Sequence, residues 1–473
     1  MNLASLMLMR QEILLIGVIL ILLVATMVQM NKSGKGVISL AIFLFGAVTI
    51  VGFLPQETGL LFGGMYQVNE TIILMKNILN MGVFVLLFQS HSWILSKDNE
   101  GNSSEFVLIL FSTLVGMDYM ISAGDFLMLF LGLELATIPL AVLAAYEVKK
   151  VKSIEAGTKL ILLNALSSGI TLMGVSLLYG ANGSIYFDSL ALTISNSPIN
   201  ILAMLFIFAG LAFKISLVPF HFWTADVYEG SPISVTAFLS VISKGAAVFV
   251  LVMLLFKVFA VLQSSWTLSI YIVAILTMTL GNVFAIRQNN FKRFLAFSSI
   301  AQAGFILLGI IGANQLGMSS VIYFVLVYVF SNLGAFGVVQ AIERATGKEN
   351  ISDYNGLYKT NPKLGLLMTL AVFSLAGIPP LAGYFGKFFL FMGAASAGYY
   401  WLVIIAVLNT IISLYYYLLI VKTMFIKPNE NPIPYFKSDG MLKIGLVMAA
   451  AGIVLIGFFG GLYDWVFALS WGV

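Results

Sequence analysis

The sequence predicts an all-α membrane protein that crosses the bilayer about 14 times, and two observations support this. Of the 473 residues, 60% are hydrophobic and only 9% are charged, whereas soluble globular proteins contain about 25% charged residues. The apolar residues also fall into stretches of about 20, the length that spans a bilayer as a helix. The connections between these stretches are short, so we expect no soluble domain.

Each apolar stretch is read as one span. The first begins near Glu12 and lacks a small-residue cleavage signature, so it is predicted to be a retained helix rather than a signal peptide. The seventh contains Pro219, and the twelfth, too long for one straight helix, is interrupted at Gly377, Pro379 and Pro380. The predicted spans are 12–30, 37–54, 72–93, 105–121, 124–146, 157–180, 200–222, 233–257, 266–286, 294–313, 318–341, 364–396, 401–424 and 442–463.

The two interrupted spans divide the chain into related parts. Spans four to eight and nine to thirteen each contain one proline-broken helix and an intramembrane lysine. Matching interruptions in two halves indicate an inverted repeat with a site near the middle of the membrane. We therefore predict N-terminal helices in 1–104, a first five-helix repeat in 105–258, a second in 259–425 and a last helix in 426–473.

Loop charges predict the orientation. Basic residues gather in alternate loops, for example at Lys149, Lys150 and Arg287, whereas the opposite loops carry only Arg10 and Lys257. Loops rich in lysine and arginine face the cytoplasm. This alternation agrees with fourteen spans, and it predicts that both termini face away from the cytoplasm.

The composition also restricts the chemistry. The chain has no cysteine and only two histidines, His91 and His221, so thiolate metal sites and iron–sulfur ligation are excluded. The net charge of +4 is too small to indicate nucleic-acid binding. We expect no metal and no cofactor in this chain, and any redox chemistry must take place elsewhere.

Four charged residues occur deep inside apolar spans: Glu134, Lys214, Lys244 and Lys387. Each costs roughly 2.5–3.5 kcal/mol at the centre of a spanning helix, so such residues are functional candidates by default. A poorly hydrated lysine can release its proton near neutral pH, whereas arginine cannot. Sodium would need several convergent oxygen ligands, but only one of the four is a carboxylate. The set predicts a proton path.

Two further residues are candidates for auxiliary roles. His221 follows Lys214 by seven residues, which is about two helical turns, and would share its face if the helix continued past Pro219. Lys159 lies near the cytoplasmic end of the sixth span, where extension of its side chain to the surface explains it equally well. Glu134 is predicted to pair with Lys214.

Purely structural interpretations of these residues stay open. Glu134 would serve as a folding pin between helices, and Lys387 would bind the carbonyls freed by the two prolines. On the opposite side, Lys76 is interpreted as a residue that extends to the surface, and Asp118 and Asp125 as parts of a solvated turn.

Several motifs resemble one family of respiratory-complex subunits. The stretch from residue 120 reads MISAGDFLMLFLGLELATIPLAVLAAY, and later ones read FKISLVPFHFWTADVYEGSP, KRFLAFSSIAQAGF and LAGIPPLAGYFGKF. They resemble subunit N of bacterial NADH-quinone oxidoreductase, respiratory complex I, within the wider antiporter-like family. Lysine rather than glutamate at 387 fits subunit N better than its middle paralogue.

The resemblance implies a proton-pumping translocase subunit of the bacterial inner membrane. Glu134 and Lys214 would be the coupling pair, Lys244 the central relay and Lys387 the terminal proton donor, assisted by His221 and Lys159. NADH, FMN, iron–sulfur clusters and quinone would bind to partner subunits, one of them a second antiporter-like chain.

Two rival functions remain at this point. An ion-translocating subunit of a multi-subunit sodium/proton antiporter would share many of these motifs, and it predicts sodium-dependent exchange without quinone. A purely structural scaffold predicts that neutralising the buried lysines leaves activity intact. The sequence does not distinguish NADH from ferredoxin or F420 as the electron donor.

Overall fold

The computed structural model describes residues 6–28, 34–96, 99, 102–429 and 431–470. The first half of the chain forms α1 (Arg10–Val28), α2 (Lys35–Gly52), α3 (Glu70–Ile94), α4 (Ser103–Ile121), α5 (Phe126–Ala144), α6 (Val151–Asn182), α7 (Phe187–Thr193), α8 (Pro198–Ile215) and α9 (Phe222–Gly230). The second half forms α10 (Ile233–Val258), α11 (Gln263–Ile286), α12 (Phe291–Ile311), α13 (Gln315–Thr346), α14 (Pro362–Ala376), α15 (Ala382–Ser396), α16 (Tyr400–Phe425), α17 (Gly440–Phe458) and α18 (Gly461–Leu469). Single turns of helix occupy Met7–Met9, Phe62–Gly64, Ala260–Leu262, Ile351–Tyr354 and Leu357–Thr360.

The predicted fold class is confirmed. Among the described residues, 13 helical segments are long and apolar enough to cross a membrane. The remaining span is the broken twelfth, which consists of α14 and α15 and is too short in either half to qualify alone. Together they give the expected fourteen. The first and last residues lie outside the described ranges, and the side of the membrane on which the two termini lie stays a prediction. The exact domain boundaries also stay a prediction.

Two helix pairs pack in the same way, one in each predicted repeat. Between α4 and α5, a Cβ added to Gly116 would lie 2.4 Å from the Ala136 nitrogen. Between α11 and α12, a Cβ added to Gly281 would lie 2.6 Å from the Ala301 nitrogen. Membrane helices use such small residues to bring their backbones into contact. This correspondence supports two related halves.

Both broken helices end at a residue in the left-handed backbone conformation. α8 stops at Ile215 because Ser216 has φ 67°, and α14 stops at Ala376 because Gly377 has φ 89°. A short loop then leads into the second half of each span. The seventh span continues through α9 to Gly230, beyond its predicted end at 222, because its polar second half carries too weak an apolar signal to be recognised.

Two features were not predicted. A small antiparallel hairpin of β1 (Gly59–Leu61) and β2 (Tyr66–Val68) connects α2 to α3, and we call its side of the protein the hairpin face. The central helix α10 contains two wider π-helical turns, Leu239–Ser243 and Leu254–Val258, the first directly before Lys244. Such turns are frequent at functional sites. α10 is buried along its whole apolar length, so Lys244 lies at the centre of the bundle.

Candidate functional site

Glu134 lies halfway along α5 and is partly buried. Its Oε1 accepts a hydrogen bond from the Ser168 hydroxyl of α6. The Lys214 ammonium makes no hydrogen bond, so the predicted direct contact between Glu134 and Lys214 is not formed. The carboxylate is held by a neutral hydroxyl on a neighbouring helix, which leaves its charge available to act on Lys214 through space.

Lys214 occupies the last turn of α8, directly before the break. Its Nζ is buried without a hydrogen-bond partner and lies 5.9 Å from the centre of the Phe213 ring. The loop that follows is fixed from the other repeat, because the Val218 N–H donates to Thr277 Oγ1 of α11 over 3.1 Å. The broken helix thus presents an unpaired ammonium on a tethered scaffold.

His221 does not share a helical face with Lys214, so that part of the prediction is wrong. The helix ends at Ile215, and His221 lies at the end of the loop, directly before α9. Its ring is 4.5 Å from that of Phe222, and its Nδ1 is buried without a partner. The hydroxyls of Thr224 and Tyr228 on α9 are also buried and unpaired. The segment from His221 through α9 therefore holds three buried polar atoms without hydrogen-bond partners.

Lys244 is 2% exposed and turns toward α12. Its Nζ donates to Ser299 Oγ over 2.9 Å and to the Ser299 carbonyl over 3.1 Å. The Tyr228 hydroxyl lies beside Ser299 and Ser240 without reaching hydrogen-bond geometry. Lys244 is therefore held by neutral oxygens, as expected for a group that exchanges protons rather than one fixed in an ion pair.

Lys387 is 3% exposed on α15, after the second break. Its Nζ donates to the Ala376 carbonyl over 3.1 Å and lies 4.6 Å from the centre of the Phe305 ring. This is the arrangement expected for a lysine that binds a carbonyl freed at the end of α14, with a cation–π contact in addition. The interpretation that Lys387 binds a freed carbonyl thus describes its contact correctly. This partner is neutral, however, and leaves the amine able to gain or lose a proton.

Side-chain hydrogen bonds run between the sequence neighbours of Ser299 and Ala376, the two residues that bind Lys244 and Lys387. Next to Ser299, the Ser298 hydroxyl lies 2.5 Å from that of Tyr417. The Gln302 amide donates to Tyr417 Oη over 3.4 Å and to the Leu375 carbonyl over 3.0 Å. Leu375 directly precedes Ala376, the residue that binds Lys387. Sequence reasoning missed these neutral residues because serine, glutamine and tyrosine are common in membrane helices.

Lys159 lies outside this central line. It is at the basic side of the protein, 38% exposed in its side chain, and pairs with Glu155 over 2.6 Å and Asp226 over 2.9 Å. Arg293 reaches the same Asp226 over 2.8 Å. Lys159 therefore belongs to a network of ion pairs at the surface, and its auxiliary role stays a prediction.

Two sequence interpretations at the hairpin face are wrong. Lys76, interpreted as a residue that extends to the surface, is 1% exposed and forms an ion pair with Glu12. Asp118 and Asp125, assigned to a solvated turn, are both 0% exposed. Asp125 instead caps α5 by accepting the Met128 N–H over 2.7 Å. The described residues contain no group of three or more His, Cys, Asp or Glu that could hold a metal ion.

Comparison with known proteins identifies the family. Residues 123–413 match the family model described as NADH:quinone oxidoreductase/Mrp antiporter, TM. A protein of Phocaeicola vulgatus named NADH-quinone oxidoreductase subunit N is 48% identical over 411 residues, 87% of each chain. One with the same name from Azobacteroides pseudotrichonymphae is 47% identical over 477 residues, covering 100% of this chain and 99% of the relative. The chain belongs to the subunit N family of NADH-quinone oxidoreductases.

Solved structures have the same fold. A chain of respiratory complex I from Thermus thermophilus with bound aureothin has a TM-score of 0.82 at 27% identity, covering 96% of this chain and 98% of that one. A chain of the Mrp complex from Dietzia sp. DQ12-45-1b has a TM-score of 0.85 at 20% identity, covering 99% of this chain and 97% of that one. The second likeness shows a shared fold alone.

Proposed function

We propose that this subunit N moves protons across the membrane through Glu134, Lys214, Lys244 and Lys387, coupled to quinone reduction in the same oxidoreductase. The observation that carries this proposal is that three lysines from the two repeats lie in the bundle with only neutral hydrogen-bond partners or none. A bundle that needed lysines only for stability would pair them with carboxylates, because an unpaired buried charge is costly.

The first repeat supplies the switch. Lys214 has no hydrogen-bond partner, and Glu134, the carboxylate among the described residues whose charge acts on it, is held by Ser168. Approach of an opposite charge favours the protonated amine, and its withdrawal favours release of the proton. A movement of α5 relative to α8 would therefore load or unload Lys214.

The unpaired polar atoms of His221 and of α9 carry the proton onward. The His221 ring nitrogen and the hydroxyls of Thr224 and Tyr228 are buried and unsatisfied. Buried polar groups normally bind ordered water when protein partners are absent. We expect water molecules here to connect Lys214 with Lys244, and the histidine to pass protons between its two nitrogens.

The second repeat stores and releases the proton. Ser298 and Tyr417 have hydroxyls that both donate and accept, so they can pass protons. The Gln302 amide cannot do so readily, and we assign it the task of holding Tyr417 against the end of α14. Lys387, at the far end of this network, would receive the proton and deliver it to the opposite side.

The remaining parts of the reaction belong to partners. NADH, FMN, iron–sulfur clusters and quinone would bind to other subunits, and this chain would contact further membrane subunits, among them another antiporter-like one. In the bacterial inner membrane, the basic loops would lie on the cytoplasmic side, and the hairpin face would lie on the periplasmic side.

The substitution Lys214→Met tests the proposal. Methionine keeps much of the side-chain volume but cannot carry a proton, so we expect quinone-coupled proton pumping to fall by about 100-fold or more. Proton uptake into sealed inverted membrane vesicles would be measured together with NADH oxidation. The matched control is Lys359→Met, because Lys359 is an exposed lysine on a loop helix.

Two outcomes are decisive. Loss of pumping in Lys214→Met with normal pumping in Lys359→Met supports the proposal, provided that electron transfer from NADH to a water-soluble acceptor is unchanged in both. Full pumping by Lys214→Met would refute the proposed path.

A further inference from the structure

A second group of buried ionisable residues lies at the hairpin face, apart from the path described above. Glu12, Tyr66, Lys76 and Asp118 come from α1, β2, α3 and α4, and each is at most 1% exposed. The Lys76 ammonium binds the Glu12 carboxylate and donates to Tyr66 Oη over 3.2 Å. The Tyr66 hydroxyl donates to the same Glu12 oxygen over 2.9 Å. We call these four residues the outer cluster.

Asp118 is the unexplained member of the outer cluster. Both of its carboxylate oxygens are buried and have no hydrogen-bond partner. The end of α4 that carries Asp118 is joined to the hairpin, because the Asp118 carbonyl accepts the Ser122 N–H and the Ser122 carbonyl accepts the Gln67 N–H, next to Tyr66. The charges of Lys76 and Glu12 act on Asp118 from there. The cluster thus holds two carboxyl groups and one ammonium. An ionised carboxylate buried without partners is strongly disfavoured, so one of the two carboxyl groups must hold a proton.

The surrounding titratable groups do not supply a second cation. Tyr119 of α4 is half-buried beside Asp118. Arg10 donates to two backbone carbonyls just before the hairpin, and Lys257 pairs with Asp188 over 2.9 Å. Within the part of the chain that the structure describes, Lys76 is therefore the cation for which Glu12 and Asp118 compete.

The position of the outer cluster connects it with the central lysine. α3 packs directly against α10, since a Cβ added to Gly245 would lie 3.1 Å from Leu79 Cδ2. Leu79 follows Lys76 by three residues, a rise of about 4.5 Å. Lys76 of the outer cluster thus lies about one helical turn nearer to the hairpin face than Leu79, which contacts Gly245, the residue after Lys244.

We propose that the outer cluster is a proton-binding site that releases protons at the hairpin face; this rests on the proposed function. In the resting state Asp118 holds the proton and Lys76 pairs with Glu12. When the Asp118 O–H bond breaks and the proton bonds to a water molecule, the new carboxylate draws Lys76 away from Glu12. Glu12 then accepts the next proton from the path of buried lysines described above, and transfer of that proton to Asp118 restores the first pairing.

The substitution Asp118→Asn tests this proposal in the intact complex. Asparagine keeps the shape and polarity of the side chain but cannot exchange a proton, so a merely structural role would tolerate it. We expect proton uptake and quinone-coupled NADH oxidation in sealed vesicles to fall by about tenfold or more. Asp118→Glu, which restores a carboxyl group, should recover part of the activity.

The matched control is Asp125→Asn in the same turn. Asp125 caps α5 through the Met128 N–H, and asparagine caps a helix as well as aspartate does. This variant should pump at the normal rate. Normal pumping by Asp118→Asn would overturn the proposal, and if Lys214→Met were at the same time inactive, the proposed function itself would stand.

Glu12→Gln decides the question should Asp118→Asn fail to assemble. The glutamine oxygen can still accept from Tyr66 and Lys76, which preserves the contacts of the cluster. Lys76 would then have Asp118 as its only carboxylate, and the exchange would stop in one state. We expect a loss of pumping of about tenfold with normal electron transfer to a water-soluble acceptor, whereas normal pumping would contradict the proposal.

Discussion

The two broken helices have the same backbone plan but hold their lysines differently. In the first repeat, Lys214 lies before the break, and its ammonium has no hydrogen-bond partner. In the second repeat, Lys387 lies after the break, and its ammonium is bound to the carbonyl of Ala376, near the end of α14. Both breaks begin at a left-handed residue, Ser216 or Gly377.

The difference indicates a division of labour. An ammonium without partners responds strongly to a nearby carboxylate, whereas one bound to a carbonyl has a fixed position. Glu134 is in the first repeat, where the responsive lysine lies, and the hydrogen-bonded network of Ser298, Gln302 and Tyr417 is built largely from the second. We infer that the first repeat is the switch and that the second is the store.

The largest effect should come from Lys244, which joins the two repeats. Lys244→Met removes the ammonium bound to Ser299, and we expect proton pumping to fall by about 100-fold or more. Quinone reduction in sealed vesicles, measured with and without an uncoupler, would show whether electron transfer stops with it. Pumping above half of the normal rate would show that Lys244 is not on the path.

A smaller effect is expected for Tyr417→Phe, which breaks the network inside the second repeat. Loss of one hydroxyl that bridges Ser298 and Gln302 costs about 1 kcal/mol, which corresponds to roughly a fivefold slower transfer. The measurement is the initial rate of proton uptake into sealed vesicles, recorded together with the rate of NADH oxidation.

The neighbouring tyrosine provides the control for Tyr417→Phe. Tyr416 is equally buried but donates to Asn282 over 3.0 Å instead of to the network. Tyr416→Phe should therefore pump at close to the normal rate. Equal losses in both variants would indicate a packing defect rather than a proton path through Tyr417.

The smallest effect is expected at Lys159. Removing its charge by Lys159→Gln leaves Asp226 paired with Arg293, and exposed ion pairs contribute only about 0–1 kcal/mol. Pumping should stay within about twofold of normal, measured in the same vesicle assay. A loss as large as that of Lys214→Met would instead place Lys159 on the path.

The sequence was sufficient for the fold class, and it located the four charged residues inside the apolar spans, whose roles stay predictions. Apolar stretches of the right length identified the spans, and a charge inside such a stretch is conspicuous because it is so costly. Pro219, Pro379 and Pro380 located both breaks. These are local signals, and each can be read without knowledge of what packs against it.

What the sequence could not supply depends on contacts between distant residues. Lys76 looked like a surface residue because its partner Glu12 is 64 positions away. His221 was placed on the wrong face because Ser216, an ordinary residue, takes a left-handed conformation that ends the helix. Ser298, Gln302 and Tyr417 gained significance only when their mutual hydrogen bonds became visible.

The proposed path depends most directly on water between Lys214 and Lys244. A map of the intact complex detailed enough to show water molecules would test it. We predict ordered water that connects Lys214 Nζ, His221 Nδ1 and the hydroxyls of Thr224 and Tyr228 with Lys244. A dry, apolar gap between Lys214 and Lys244 in every functional state would contradict the proposed path.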